Sequence, residues 1–320
     1  MDVLRKWKDR FHQPVKAVVT LATTAAMIWL FLNFLKGSNV WEVLPRFNFE
    51  KLIEIGFILI ALFGARSFRF AFLVGREFHA PYRMATGATL QAYALNSLVP
   101  FKPGELWRAE RLRRVRKKGF VDAAALSIFD RAFDVLFCLI FMLPLGLSTA
   151  HGLFGKQVVG FEHIASKVIL VIGVAIFIGI LFVKQRSWLL KKVDGFRRTA
   201  ASMKSLMGPM FVTSVVIWIF EYSVCEAIAG ALDMSIPVTT MCFVIGFSNL
   251  FGAVVPSPGG VGAFEGSVIW LLSTLNGQGY EVATTYSIIV HAVLIIPVTV
   301  VGLSWMAIEL MLKHTHTVQH

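Results

Sequence analysis

Pro256-Ser257-Pro258-Gly259-Gly260-Val261-Gly262-Ala263-Phe264-Glu265 lies within one of the most apolar parts of the chain. Two prolines, three glycines and a carboxylate stand where a membrane helix would otherwise run. Backbone broken in this way is tolerated at membrane depth only where protein buries it or a wet cavity borders it. The stretch therefore marks a break between two helices, and it is the first place to look for what the protein handles.

The composition around the break is that of a polytopic membrane protein: 320 residues, 56% hydrophobic and 16% charged. Six apolar runs approach the roughly 20 residues needed to cross a bilayer, at residues 15–35, 52–74, 121–148, 166–183, 209–232 and 282–312. Two further pieces are too short or too interrupted for a straight crossing. One is the amphipathic segment 84–100, which ends at Pro100; the other is the pair 238–255 and 260–275, split by the break. Each is expected to be a re-entrant helical hairpin, at about 84–112 and 238–275. The three cysteines, Cys138, Cys225 and Cys242, sit in apolar runs without pairing or metal spacing, so neither disulfide nor zinc site is expected. The basic N-terminus is not followed by a small-residue cleavage site, so the first run is expected to be a retained helix.

Charge fixes the expected orientation. The net charge is +12, from 31 basic and 19 acidic residues. The basic residues cluster between apolar runs, which favours anionic lipid headgroups over nucleic acid as their partner. Three basic segments (Arg5–Lys16, residues 108–118 and residues 184–204) fall on the cytoplasmic side by the positive-inside rule. The near-neutral or acidic loops fall outside only if both broken pieces enter and leave on one side. The chain then divides into two halves, 15–148 and 166–312, each reading span, span, hairpin, span. An odd number of crossings per half inverts one half relative to the other. Leu98-Val99-Pro100-Phe101-Lys102-Pro103-Gly104-Glu105 echoes Val254-Val255-Pro256-Ser257-Pro258-Gly259-Gly260, and a Gly/Pro interruption at matching places in two halves points to a transporter site between them. The expected architecture is an all-α membrane domain spanning 1–320, with about six transmembrane helices and two re-entrant hairpins in two inverted-topology repeats. Both termini are expected in the cytoplasm of a prokaryotic inner membrane.

Ionisable residues inside such runs are costly and are candidate functional groups. In the first hairpin Glu105 and Arg108, three apart on one helical face, follow Asn96 and Pro100; they equally suit an interfacial pair opening a cytoplasmic helix. Asp130, Arg131 and Asp134 lie among apolar residues of the third run, where pairing can be purely structural. Of Arg66 and Arg69 in the second run, Arg69 is expected to snorkel to the headgroups, and Arg66 is open. Glu221, Glu226 and Glu265 have no basic neighbour in sequence and are candidate proton carriers or partners for an arginine across helices; His291 could titrate near neutral pH. Gly259, Gly260 and Gly262 would leave amides bare at a helix start, an arrangement that attracts phosphate, with Ser257 beside them as a further substrate-binding candidate. No nucleotide-binding loop, zinc-protease motif or serine triad is present, and no cofactor or catalytic residue is expected.

Together, Asn96, Pro100, Gly104-Glu105, Arg108, Ser127, Arg131, Asp134, Glu221 and the Pro256–Glu265 stretch resemble the transmembrane region of lysylphosphatidylglycerol synthases, a flippase-like family also known as uncharacterised protein family 0104. The resemblance covers nearly the whole chain. It implies movement of a lipid across the bilayer: an anionic phospholipid, an aminoacyl-phospholipid, or a polyprenyl-phosphate or glycolipid. In the translocator so implied, Arg108, Arg131 and Arg66 would hold the phosphate, with Asn96 and the amides near Gly259 and Gly260 beside it, and Glu105, Asp134, Glu221 and Glu265 would pair the arginines between cycles or carry protons. Some members carry an aminoacyl-transferase domain after the membrane part; this chain ends at His320, so lipid lysylation is not expected. Many relatives begin the last span with an arginine where this chain has His291. Two alternatives stand beside the translocator: an intramembrane enzyme acting on headgroups through Glu105 or Glu265, and a non-catalytic partner delivering lipid to a separate enzyme.

Overall fold

Pro81 and Pro237 each sit immediately before a 17-residue helix, Tyr82–Leu98 and Val238–Val254, where the missing N–H costs nothing. Each helix ends on a valine in extended backbone, Val99 and Val255. Pro100 and Pro256 follow, and the residue before a proline is driven out of the helical region. A 13-residue helix then returns along each, Gly104–Arg116 and Ala263–Leu275. The same punctuation has thus built the same hairpin twice.

The computed structural model describes residues 43–148 and 203–317, apart from positions 44, 46, 117, 118 and 256. These residues form eight α-helices and no strand. In chain order they are α1 (Lys51–Phe78), α2 (Tyr82–Leu98), α3 (Gly104–Arg116), α4 (Phe120–Ser148), α5 (Met207–Ala231), α6 (Val238–Val254), α7 (Ala263–Leu275) and α8 (Tyr280–Thr317). Short 3₁₀ turns at Met203–Leu206 and Pro258–Gly260 lead into α5 and α7. The runs expected at 52–74, 121–148, 209–232 and 282–312 are α1, α4, α5 and α8. Those at 15–35 and 166–183, the N-terminal basic segment and most of the third basic segment lie outside the described residues. Lys51–Phe78, Lys204–Ala231 and Tyr280–Glu309 are long and apolar enough to cross a membrane. At 29 residues, α4 reaches about 43 Å at 1.5 Å per residue, and it carries Asp130, Arg131 and Asp134 in its middle.

Packing exchanges partners between the halves. Helices α1 and α5 lie side by side and antiparallel: the Asn48 amide, before α1, donates to the carbonyl of Ala231 at the end of α5 at 2.9 Å. Meanwhile α2 packs on α8 and α6 on α4, so each hairpin is gripped by the last helix of the opposite half. Those two grips need bare backbone. A Cβ on Gly302 of α8 would lie 2.3 Å from the Leu90 carbonyl oxygen of α2, and one on Gly246 of α6 would lie 2.5 Å from that of Cys138 on α4. Small residues allow this approach between membrane helices, where packing rather than water drives association. One core gathers Leu62, Ile217, Val244, Leu271 and Tyr286; a second gathers Phe70, Leu73, Leu112, Leu126 and Met210.

Substituting Gly302→Ala should force α2 and α8 apart and destabilise the protein by about 1–3 kcal/mol, read as a lower Tm in detergent. Gly64→Ala, which meets nothing within 4 Å, should leave Tm unchanged or raise it.

Candidate functional site

The turns of the two hairpins meet. α2 packs against the Pro258–Gly260 turn, and a Cβ on Gly259 would come within 3.4 Å of the Ser97 carbonyl. Gly259, Gly260 and Gly262 all have positive φ (62°, 83° and 84°), a conformation that glycine adopts without steric cost. Beside this meeting point lies a cavity of about 350 Å³ to which every one of the eight helices contributes at least one residue. Its polar wall is Arg66, Tyr93, Asn96, Lys102, Glu105, Arg131, Asp134, Glu221, Asn249 and His291. Phe63, Val135, Trp218, Leu250, Leu294 and Val298 supply an apolar wall.

The polar wall is one face of a larger charge network. Arg131 Nε donates to Glu105 Oε1 at 2.8 Å and its Nη1 to Asp134 Oδ2 at 2.7 Å. Arg66 Nη2 donates across the halves to Glu221 Oε2 at 2.5 Å. The Tyr93 hydroxyl accepts from both Arg66 and Arg131, at 3.2 and 3.0 Å, and its ring lies 5.3 and 4.9 Å from the two guanidinium carbons, close enough for cation–π attraction on both. Behind this layer Arg69, 1% exposed, donates to Asp130 Oδ1 (2.8 Å), Asp134 Oδ1 (2.7 Å) and Ser214 Oγ (2.9 Å). Arg108 donates to Asp130 Oδ2 (2.9 Å), Glu105 Oε2 (2.8 Å) and the Ser127 carbonyl (3.2 Å) and sits 4.0 Å over the Phe70 ring. Asp130 thus joins two arginines that make no contact with the cavity.

This corrects two expectations. Arg69 does not snorkel: α1 turns it inward, where three acceptors on α4 and α5 satisfy it more fully than a headgroup region could. Arg108 does not face a headgroup, because its donors are taken by α3 and α4 and the residue is fully buried. Two of the three amides expected to be bare are also engaged. Gly260 N–H donates to the Ser257 carbonyl at 3.2 Å and Val261 N–H to the Pro258 carbonyl at 3.1 Å. Gly262 N–H donates to Glu265 Oε2 at 2.7 Å, a carboxylate closing its own helix start. What the turn offers instead is a carbonyl: Gly259 O lies 3.0 Å from His291 Nε2, and His291 Nδ1 lies 2.6 Å from Glu265 Oε1.

The other expected residues separate cleanly. Asn96 lines the cavity while its Oδ1 accepts the Gly104 amide at 2.8 Å, pinning the start of α3 to the end of α2. Glu105, Arg131, Asp134, Arg66, Glu221, Gly259 and His291 line it. Glu265 reaches it through His291. Gly260 packs on Gly252 behind it, and Ser257 is buried outside it, its hydroxyl without a partner among the described residues. Glu226 lies apart and exposed, taking a hydrogen bond from Tyr222. Tyr93, Lys102, Ser248 and Asn249 are lining residues that sequence reasoning did not select. A signal was available for two of them: the register that matches Pro100 with Pro256 also matches Tyr93 with Asn249. No group of three or more His, Cys, Asp or Glu suited to a metal ion occurs among the described residues.

Site and scaffold should part on substitution. Asp130→Ala strands Arg69 and Arg108 and should cost about 3–5 kcal/mol, seen as a large fall in Tm. Lys102→Ala removes a side chain that makes no hydrogen bond or ion pair among the described residues and should change stability by less than about 0.5 kcal/mol.

A search of curated proteins found no match, and neither did a search of solved structures. The family model described as the lysylphosphatidylglycerol synthase TM region matches residues 17–302. That match takes in both hairpins, all of α1 to α7 and the cavity-lining part of α8. A multi-pass helical membrane protein with a charged cavity among its helices, this chain belongs to the lysylphosphatidylglycerol synthase TM-region family, whose function is tied to membrane lipid.

Proposed function

We propose that the protein is a lipid translocator that carries an anionic headgroup through the cavity while the lipid tails remain outside it. One observation supports this above the others. Residues that line the cavity keep buried donors without a partner although the surrounding network is otherwise closely paired. Arg66 Nε and Arg131 Nη2 have no hydrogen-bond partner among the described residues, and Lys102 has neither hydrogen bond nor ion pair. Two guanidinium edges and an ammonium are suited to a phosphate, which guanidinium engages through paired hydrogen bonds. The carboxylates that hold the arginines, Glu105, Asp134 and Glu221, keep them oriented when the cavity is empty. Ser248 adds a buried hydroxyl that makes no hydrogen bond among the described residues.

In this reading the halves are inverted-topology repeats and the hairpins re-entrant. The antiparallel contact of α1 with α5 and the exchanged grips of α2 by α8 and α6 by α4 support that arrangement, the usual architecture for rocking one half against the other around a central site. Without a nucleotide-binding motif in the sequence, the drive is an ion or lipid gradient. The family and the cytoplasmic basic segments favour a prokaryotic cytoplasmic membrane with both termini inside.

The test is reconstitution into liposomes carrying headgroup-labelled anionic and polyprenyl-phosphate lipids. Protein-dependent transfer between leaflets is expected. Arg131→Gln and Lys102→Ala should each slow it by about 10–100-fold, the worth of a charge-assisted hydrogen bond. If no lipid of the panel crosses faster than in empty liposomes, the reading fails; covalent change of a lipid by the purified protein would instead make it an enzyme.

A further inference from the structure

The contact between His291 and its two neighbours fixes a proton count. A backbone carbonyl only accepts, so the 3.0 Å approach of Nε2 to Gly259 O requires a hydrogen on Nε2. Nδ1 and Glu265 Oε1 stand 2.6 Å apart. A bare ring nitrogen and a bare carboxylate oxygen repel at that distance, so a further proton lies between them. Whichever atom holds it, the pair carries one proton more than a neutral histidine beside a carboxylate. Among the described residues Glu265 forms an ion pair with no other cation, and its other oxygen accepts from the Gly262 amide.

That extra proton sets the charge of the site. Five cations, Arg66, Arg69, Lys102, Arg108 and Arg131, stand against five carboxylates, Glu105, Asp130, Asp134, Glu221 and Glu265. The elements packed around His291 bring Tyr93 from α2, Glu221 from α5 and Glu265 from α7; the remaining charges face it from α1, α3, α4 and the first hairpin's turn. Without the shared proton the network is neutral, and with it the network is singly positive. His291 also lines the cavity and holds Gly259 of the turn that borders it.

We propose that the Glu265–His291 pair takes up one proton together with a singly charged phosphodiester, so that headgroup and proton occupy the site as a neutral unit. This rests on the reading of the cavity as an anionic-headgroup site. The bond changes are limited to proton transfer: water or buffer gives up the proton, the pair receives it, and release of the headgroup returns it. Linkage fixes the sign. The site holding the shared proton binds the anion more tightly, so binding and proton uptake favour each other. A low external pH or an inward proton gradient would load the site from that side.

The experiment is calorimetric titration of the purified full chain with dihexanoyl-phosphatidylglycerol and, separately, with glycerophosphoglycerol, each in two buffers of different ionisation enthalpy. Across a pH series the wild type should take up no proton where the empty pair already holds the shared one and about one per lipid where it does not, with Kd flat over the first range and rising about tenfold per pH unit over the second. His291→Arg keeps a cation that does not titrate in this range, and His291→Gln keeps a donor for Gly259. Both should take up no proton, and their Kd should be flat with pH. Glu226→Gln, remote from the cavity, should behave as wild type. Each variant is first matched to wild type by Tm and monodisperse elution, so that a misfolded protein is not scored. Binding without proton uptake at every pH of the series in the wild type, or unchanged uptake in the two His291 variants, overturns the proposal. No binding of either ligand overturns the headgroup site beneath it. Binding of glycerophosphoglycerol as tight as that of the lipid, with a proton taken up, keeps the linkage and overturns the lipid as cargo.

Discussion

A guanidinium at membrane depth has no bulk water to solvate it, and leaving one unpaired costs several kcal/mol. Four arginines lie inside this helix bundle, and the positions of its other charged residues follow from that. Asp130 is placed between Arg69 and Arg108, Glu105 between Arg108 and Arg131, and Asp134 between Arg131 and Arg69. Each carboxylate is shared by two arginines, so removal of one acid strands two cations. The ring joins α1, α3 and α4 more specifically than apolar packing could, since apolar surfaces in lipid discriminate little between partners. Arg66 completes the set by reaching α5 through Glu221.

The scaffold is near-symmetric and the charge it carries is not. The 17- and 13-residue helices of each hairpin, the prolines at both ends of each first hairpin arm, and the packing of each hairpin on a long helix from the other part of the chain occur twice. Yet every arginine and the lysine of the network come from the first half, while the second contributes Glu221, Glu265, His291 and the polar amide of Asn249. Where the first hairpin turns with Lys102 and Glu105, the second turns with glycines, two of whose amides are internally bonded, and exports the Gly259 carbonyl. One half supplies every cation of the network together with three of its carboxylates, and the other supplies two carboxylates and the histidine.

Much of the helical plan was legible from residues alone, because its punctuation is local. A proline forces the residue before it out of the helix, so Val99-Pro100 and Val255-Pro256 announced both breaks, and the long apolar runs announced α1, α5 and α8. The placement of Arg69 and Arg108 was not legible. Snorkelling and burial are both open to an arginine three-quarters of the way along an apolar helix, and the choice depends on whether acids on α4 arrive opposite it. The partnership of Glu265 with His291 was equally hidden: the two are 26 positions apart on helices whose relative rotation no single-sequence pattern fixes. Conversely, glycine amides that looked free in sequence were claimed by the very turn the glycines permit.

Arg66 and Glu221 join the halves across the α1–α5 contact, and Arg111 joins Glu309 where α3 meets the end of α8. Any motion that parts α1 from α5 must first take Arg66 off its carboxylate, and every 1.4 kcal/mol or so added to that step slows it about tenfold. A phosphate on Arg66 replaces the lost partner and an empty cavity does not. In the proposed translocator, loaded crossings would therefore outpace empty ones, which favours exchange of cargo between leaflets over one-way movement and resists leaking when nothing is bound.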